Sequence, residues 1–342
     1  MKKVYLILFI MIVFLTGCTK KENKRTVNVL NWSSYIPSEV ITNFEKETGI
    51  NVNYMTYSSN EELLAKISVA KEGTYDLIFP SDYMVEIMIN RGLIEEIDKD
   101  RLININNLDR DYLDMEYDSG NKYTLPFIAT STILSVNRDV IKDDITSYND
   151  LLNPKYKDEI VLIDDQRIII GMALLANGFD MNSTNEYELR MAKDWLIKLR
   201  DNIKAYDSDS PKNFLISKEA SVAVLWNAEG ALASMENRSI ENLVPKEGVA
   251  LSTDNFAIPR GAKNRDELYE FIDYILRPEV MAEIIESYPY KCINVRSYKY
   301  FDNEYINNNA ANFGYEVTDT GHFVKNIGDA ISMYDRVWAE IK

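Results

Sequence analysis

The sequence runs to 342 residues, 46% of them hydrophobic, with a formal net charge of −16, two cysteines and one histidine. That is enough apolar material for an ordinary packed core, divided between two domains. The acidic balance argues against a nucleic-acid partner and for a neutral or cationic small one.

Lys2 and Lys3 precede an apolar run over residues 4–15, too short to span a bilayer comfortably, so residues 1–18 read as a targeting segment outside the fold. The run ends Leu15-Thr16-Gly17-Cys18, which resembles the lipobox of bacterial lipoproteins, cut before Cys18 so that this cysteine carries lipid. A plain signal peptide or an N-terminal anchor helix is the blander reading of the same stretch. Residues 19–26, polar and charged, read as a tether. Export leaves Cys292 as the one thiol of the mature chain, so no intrachain disulfide is expected.

From Val27 the pattern alternates strand and helix. Val27, Val29 and Leu30 form a buried strand that stops at Asn31-Trp32-Ser33-Ser34-Tyr35, and Ser38 is placed to cap the following helix. Val40, Ile41 and Phe44 give that helix one apolar face, and Gly49 stops it. Residues 51–57 alternate as a strand, Asn60 caps a helix through Leu63 and Ile67, and residues 75–79 form a short strand ending at Pro80-Ser81-Asp82-Tyr83. Repeated units of this length imply mainly parallel sheets. A second set begins after Pro126. Residues 132–137 are the expected crossing strand, and residues 160–163 lead into Asp164-Asp165 and a helix over 167–177. A helix at 186–200 carries Trp195 at core spacing, residues 221–226 form another strand ending Trp226-Asn227-Ala228-Glu229, and residues 249–258 are extended. A helix interrupted at Pro278 and a final amphipathic helix near Ile341 complete the chain.

Catalytic motifs are scarce. His322 is the one histidine, flanked by Gly321 and Phe323 as in a surface loop, so serine or cysteine chemistry would have to rest on it. No glycines are spaced for a dinucleotide or phosphate loop. Asp207-Ser208-Asp209 starts like a calcium loop, but Pro211, Lys212 and Lys218 occupy its fifth, sixth and twelfth places, so no metal and no cofactor is expected. An enzyme is the weaker reading. What remains is a set of aromatic and acidic residues at strand ends: Trp32, Tyr35, Tyr83, Asp165, Trp226, Glu229, Asp254 and Tyr290. Residues just past the carboxyl ends of α/β strands face the ligand crevice. Aromatic faces attract organic cations, and carboxylates hold ammonium groups through charge-assisted hydrogen bonds. Each ring and carboxylate taken singly reads at least as well as a structural residue.

Several stretches are similar to one family over nearly the whole mature chain: residues 30–37 (LNWSSYIP), 44–50 (FEKETGI), 75–81 (YDLIFPS), 162–165 (LIDD), Trp226-Asn227, 244–248 (VPKEG), 257–259 (AIP) and 276–280 (LRPEV). They resemble the spermidine/putrescine-binding proteins of bacterial ABC importers. The resemblance implies an α/β, two-lobed, periplasmic-binding-protein-like fold, each lobe a mainly parallel sheet flanked by helices, with two crossing strands as hinge near residues 130–134 and 247–253. Lobe 1 would comprise residues 27–130 with 253–300, and lobe 2 residues 134–247 with 305–342. It implies Trp32, Tyr35, Trp226 and Tyr290 as the aromatic box, Ser33, Ser81, Tyr83 and Ser208 as polar contacts, Asp165 and Asp254 as ammonium partners, and Glu229 as a further carboxylate. Three positions depart from the family pattern: Ile168 for a Glu, Ser252 for a Trp and Val324 for a Gln. Two acceptors are lost thereby, and the carboxylates that remain suffice for a diamine such as putrescine. The expected protein is a monomeric lipoprotein, anchored through Cys18 at the outer face of the cytoplasmic membrane or in the periplasm, that passes polyamine to an ABC permease. A different small cationic or amino-acid-like solute is the alternative within the fold. A surface lipoprotein with a protein partner, or an esterase-type enzyme, would be a different class.

Overall fold

The computed structural model describes residues 25–208 and 210–342. The targeting segment, Cys18 and residues 19–24 of the tether lie outside them. Arg25 belongs to the fold rather than to the tether: its guanidinium reaches Glu267 at 3.0 Å and Glu270 at 2.6 Å.

The first strand, β1 (Thr26–Trp32), pairs in parallel with β2 (Asn51–Tyr57) and β3 (Leu77–Ile78). Val27, Val29 and Leu30 on β1 are fully buried, and each such side chain contributes about 1.5–3 kcal/mol by leaving water. Helices Ser38–Thr48, Asn60–Val69 and Asp82–Asn90 connect and cover these strands. The short β4 (Ile94–Glu95) pairs with the end of β10 (Ala250–Pro259). The second half repeats the arrangement, with β6 (Ile160–Leu162) parallel to both β7 (Ile203–Tyr206) and β8 (Val222–Trp226). Its helices include Gln166–Ala176, Glu186–Leu199 and Ile331–Ile341, the last packed on the other two. Trp195 is core, as its spacing predicted, with its indole N–H donated to Asn149.

Two long antiparallel strands, β5 (Thr124–Asn137) and β10, run through both halves and join the sheets in the order β2-β1-β3-β10-β5-β8-β6-β7. The amino-terminal part of β5 pairs with β11 (Lys291–Cys292); its carboxyl-terminal part pairs with β8 and β9 (Ile240–Leu243). β10 meets β12 (His322–Phe323) at one end and β3 and β4 at the other. Midway along the two crossing strands Ser131 pairs with Leu251 and Thr130 with Ser252. Gly248 opens the second crossing at φ +83°, and a Cβ there would sit 1.9 Å from the carbonyl oxygen of Thr320, so only glycine fits this turn.

β5 begins well before residue 132, and it contains Pro126. Proline cannot donate to a ladder and sits in a sheet only at an edge, a strand start or a bulge. Here the register with β10 shifts between Asp254 and Asn255, and Asn255 is the residue opposite Pro126. The bulge absorbs the missing donor. Two expected caps also differ. Pro37 occupies the N-cap before Ser38, and Ser59 rather than Asn60 caps the second helix, accepting from the Glu62 N–H. His322 lies in β12 rather than in a loop, its Nε2 3.0 Å from the Glu247 carbonyl oxygen.

Candidate ligand-binding site

The strand ends of both lobes and the middle of β10 converge on one cleft. Its cavity volume is about 70 Å³, so it is a narrow slot.

Asp254 is its floor. The bulge that follows it turns the strand locally, a common way to aim a side chain into a site. Asp254 is 2% exposed; its Oδ2 accepts from the Tyr35 hydroxyl at 2.5 Å and its Oδ1 from the Ser81 hydroxyl at 2.6 Å. Ser81 is fixed in turn by Asn60, which donates to its hydroxyl at 3.0 Å and accepts from its N–H at 3.2 Å. This is why Asn60 does not cap its own helix. Burial pushes the Asp254 carboxyl up to about 6, against the lowering effect of its two hydroxyl donors. Behind it, Phe79, Phe127 and Phe256 pack with centroids 5.0–5.3 Å apart and lock the ends of β3, β5 and β10 together.

The aromatic wall follows from the strand–loop junctions. Trp32 ends β1, donates its indole N–H to the Phe79 carbonyl at 2.9 Å, and stands 4.6 Å from the Tyr57 ring and 6.1 Å from the Tyr35 ring. Tyr35 packs on Tyr290 at 4.9 Å. The loop between Trp32 and Tyr35 places Ser34 at φ +57°, uncommon for a residue with a side chain. From the other lobe Trp226 closes the slot at the end of β8.

Asp165 faces the slot from the second lobe as N-cap of helix Gln166–Ala176, its Oδ1 accepting from the N–H groups of Arg167 and Ile168 at 2.8 and 3.1 Å. Burial raises its pKa and these two backbone donors oppose the rise. Opposite it, Glu61 accepts the Tyr83 hydroxyl at 3.1 Å and is raised by burial first and by Asp165 second. Among the described residues, no lysine or arginine forms an ion pair with Asp165, Asp254 or Glu61, although Arg167 is near enough to lower the pKa of Asp165 and of Glu61. None of the described His, Cys, Asp and Glu residues cluster as a metal site.

The structure brings together Trp32, Ser33, Tyr35, Ser81, Tyr83, Asp165, Ser208, Trp226, Asp254 and Tyr290, with Ile168, Ser252 and Val324 in the same wall. It sets Glu229 apart. Both carboxylate oxygens of Glu229 accept from Lys212 at 3.1 Å, and the pair lies outside the slot, so Glu229 is not a free acceptor. Sequence reading missed Ser58, Asn60 and Thr130, which also line the slot, and Glu61 behind Tyr83. Asn60 and Glu61 stood in a helix start that reads as capping chemistry, and Thr130 in a strand whose length was underestimated.

Residues 39–313 match the family model of bacterial extracellular solute-binding proteins. The chain belongs to this family. Membership carries export and a solute-transport role. A spermidine/putrescine-binding periplasmic protein of Salmonella typhimurium is 36% identical over 318 residues, covering 93% of this chain and 91% of the relative. The putrescine-binding periplasmic protein PotF of Escherichia coli is 32% identical over 286 residues, 78% of this chain and 77% of the relative. Among solved structures, a putative spermidine/putrescine ABC transporter protein from Listeria monocytogenes superposes with a TM-score of 0.89 at 32% identity, covering 93% of this chain and 98% of that one. The solute-binding fold is thus shared along nearly the whole chain.

Proposed function

We propose that this solute-binding protein captures a polyamine in the slot between its lobes and delivers it to the permease of an ABC transporter. One observation carries the reading: buried Asp254 at the crossing strand and half-buried Asp165 on the second lobe face one slot walled by Trp32, Tyr35, Trp226 and Tyr290, and among the described residues no lysine or arginine forms an ion pair with either. A buried carboxylate without a counter-charge is costly, and an ammonium at each end of a ligand supplies one. Alkyl segments between the ammonium groups lie against the ring faces, which also attract the cations. A diamine such as putrescine is the shortest ligand that satisfies both carboxylates. Ser33, Ser81, Tyr83 and Ser208 furnish hydroxyls around it, and Tyr290 closes one side.

In this reading the lobes close by bending at the two crossings, near residues 130–134 and 247–253, and ligand stabilises the closed form because only that form pairs both carboxylates. Cys18 would hold the monomeric protein to the membrane by lipid. Protein purified without added amine, denatured and derivatised for primary amines, should release putrescine or spermidine in near-stoichiometric amount. A preparation that refolds to bind neither amine in calorimetry would refute the assignment.

A further inference from the structure

Beside the ligand slot lies a second chamber, with a cavity volume of about 630 Å³, lined among others by Asp82, Glu86, Glu116, Tyr117, Phe323 and Lys325. It shares Tyr83 and Val324 with the slot, so these two side chains form the partition. Asp82 stands at that partition. Its Oδ1 accepts from the Ser252 hydroxyl at 2.9 Å and from the Tyr83 N–H at 2.9 Å, and Ser252 itself lines the slot. Among the described residues its Oδ2 accepts from the Thr253 N–H alone, at 3.3 Å, and so retains acceptor capacity.

Asp82 is 4% exposed, and among the described residues no lysine or arginine forms an ion pair with it, Lys325 on the chamber wall included. Burial, with Asp254 as a further raising charge, pushes its carboxyl up to about 7 against the donors just named. The two acids are near neighbours: Ser81, which binds Asp254, directly precedes Asp82, and Ser252, which binds Asp82, lies two residues before Asp254. Tyr117 borders the chamber with its hydroxyl donated to Asn255 at 3.0 Å, leaving its ring as wall. Glu86, held by Asn326, and Glu116 add negative potential.

We propose that Asp82 is the acceptor for a third ammonium group, so that a polyamine longer than a diamine places two cations on Asp165 and Asp254 and passes Tyr83 and Val324 to set its end on Asp82. The small side chain of Ser252 leaves this carboxylate within one hydroxyl of the slot, and Tyr117 and Phe323 line the far side with aromatic faces. Ile168 and Val324, which carry no acceptor, then mark where the third cation does not bind. This assignment rests on the polyamine reading of the slot and extends it to chain length.

The test is calorimetric titration of ligand-free wild type and Asp82→Asn with putrescine and spermidine in one buffer and salt. Asp82→Asn keeps the shape and removes only the charge. The expected result is at least a tenfold loss of spermidine affinity with putrescine affinity held within threefold, the putrescine isotherm also proving that the variant is folded. If wild type takes both amines and the substitution changes neither, or weakens both alike, the assignment of Asp82 falls and the polyamine reading stands. Wild type that takes putrescine but not spermidine also overturns it. Wild type that takes neither amine removes the polyamine reading, and this assignment with it.

Discussion

Replacing Asp254 by Asn separates the cost of keeping a charge in the slot from the benefit it gives the ligand. Asp254 is buried and its pKa is pushed up to about 6. Relative to an ordinary aspartate, that displacement is on the order of 3 kcal/mol at neutral pH. The sign follows from linkage. The folded protein holds this proton more tightly than the unfolded chain, so stability falls as pH rises between about 4 and about 6, and the full cost is present at pH 7. Asn carries no such cost. It accepts from one of the two hydroxyls, Tyr35 or Ser81, and can donate to the other oxygen after a hydroxyl rotation. Ligand-free Asp254→Asn should therefore melt at or above the wild-type temperature at pH 7. Binding should move the other way. Removing one partner of a buried ion pair costs about 2–5 kcal/mol, roughly a 30- to 4000-fold loss of affinity at about 1.4 kcal/mol per tenfold. Calorimetry with putrescine, alongside thermal melts of the free proteins, reads both. Unchanged affinity removes Asp254 from the site. Lost affinity with a sharply lowered melting temperature would show that the residue holds the fold rather than the ligand.

Because the ligand pairs with ionised carboxylates and the Asp254 group is raised to about 6, putrescine affinity should drop at least threefold between pH 7 and pH 5 at constant salt; a flat profile would contradict the pairing. Glu229→Gln should lower the melting temperature by freeing Lys212, yet change putrescine affinity less than threefold, and a tenfold loss would return Glu229 to the site. Cys18→Ser should shift the mature protein from the membrane fraction to the soluble one; a variant that stays membrane-bound, with no lipid on the native protein, would refute the anchor.

The strand ends were legible because α/β geometry puts residues after a strand's carboxyl end at the crevice, and Trp32, Tyr83, Asp165 and Trp226 all follow buried apolar runs. Asp254 and Tyr290 are different. The first lies inside a fully buried strand and the second just before a two-residue one, so neither stands past the carboxyl end of a strand as expected of them. Glu229 shows the opposite failure. It opens a helix after a strand as Asp165 precedes one, but Lys212, seventeen positions earlier, folds back to pair with it, and pairing across such a distance leaves no local signature. Asn60 and Asp82 carry the same lesson. Their side chains serve Ser81 and Ser252 across the fold, while in sequence each reads as the ordinary start of a helix.

The central claim is that the slot holds an amine cation between Asp165 and Asp254, and titrating ligand-free protein with putrescine in a calorimeter tests it most directly. The account predicts saturable one-to-one binding that Asp165→Asn and Asp254→Asn each weaken at least tenfold. No binding of putrescine or spermidine, or equal binding by wild type and both variants, would contradict it.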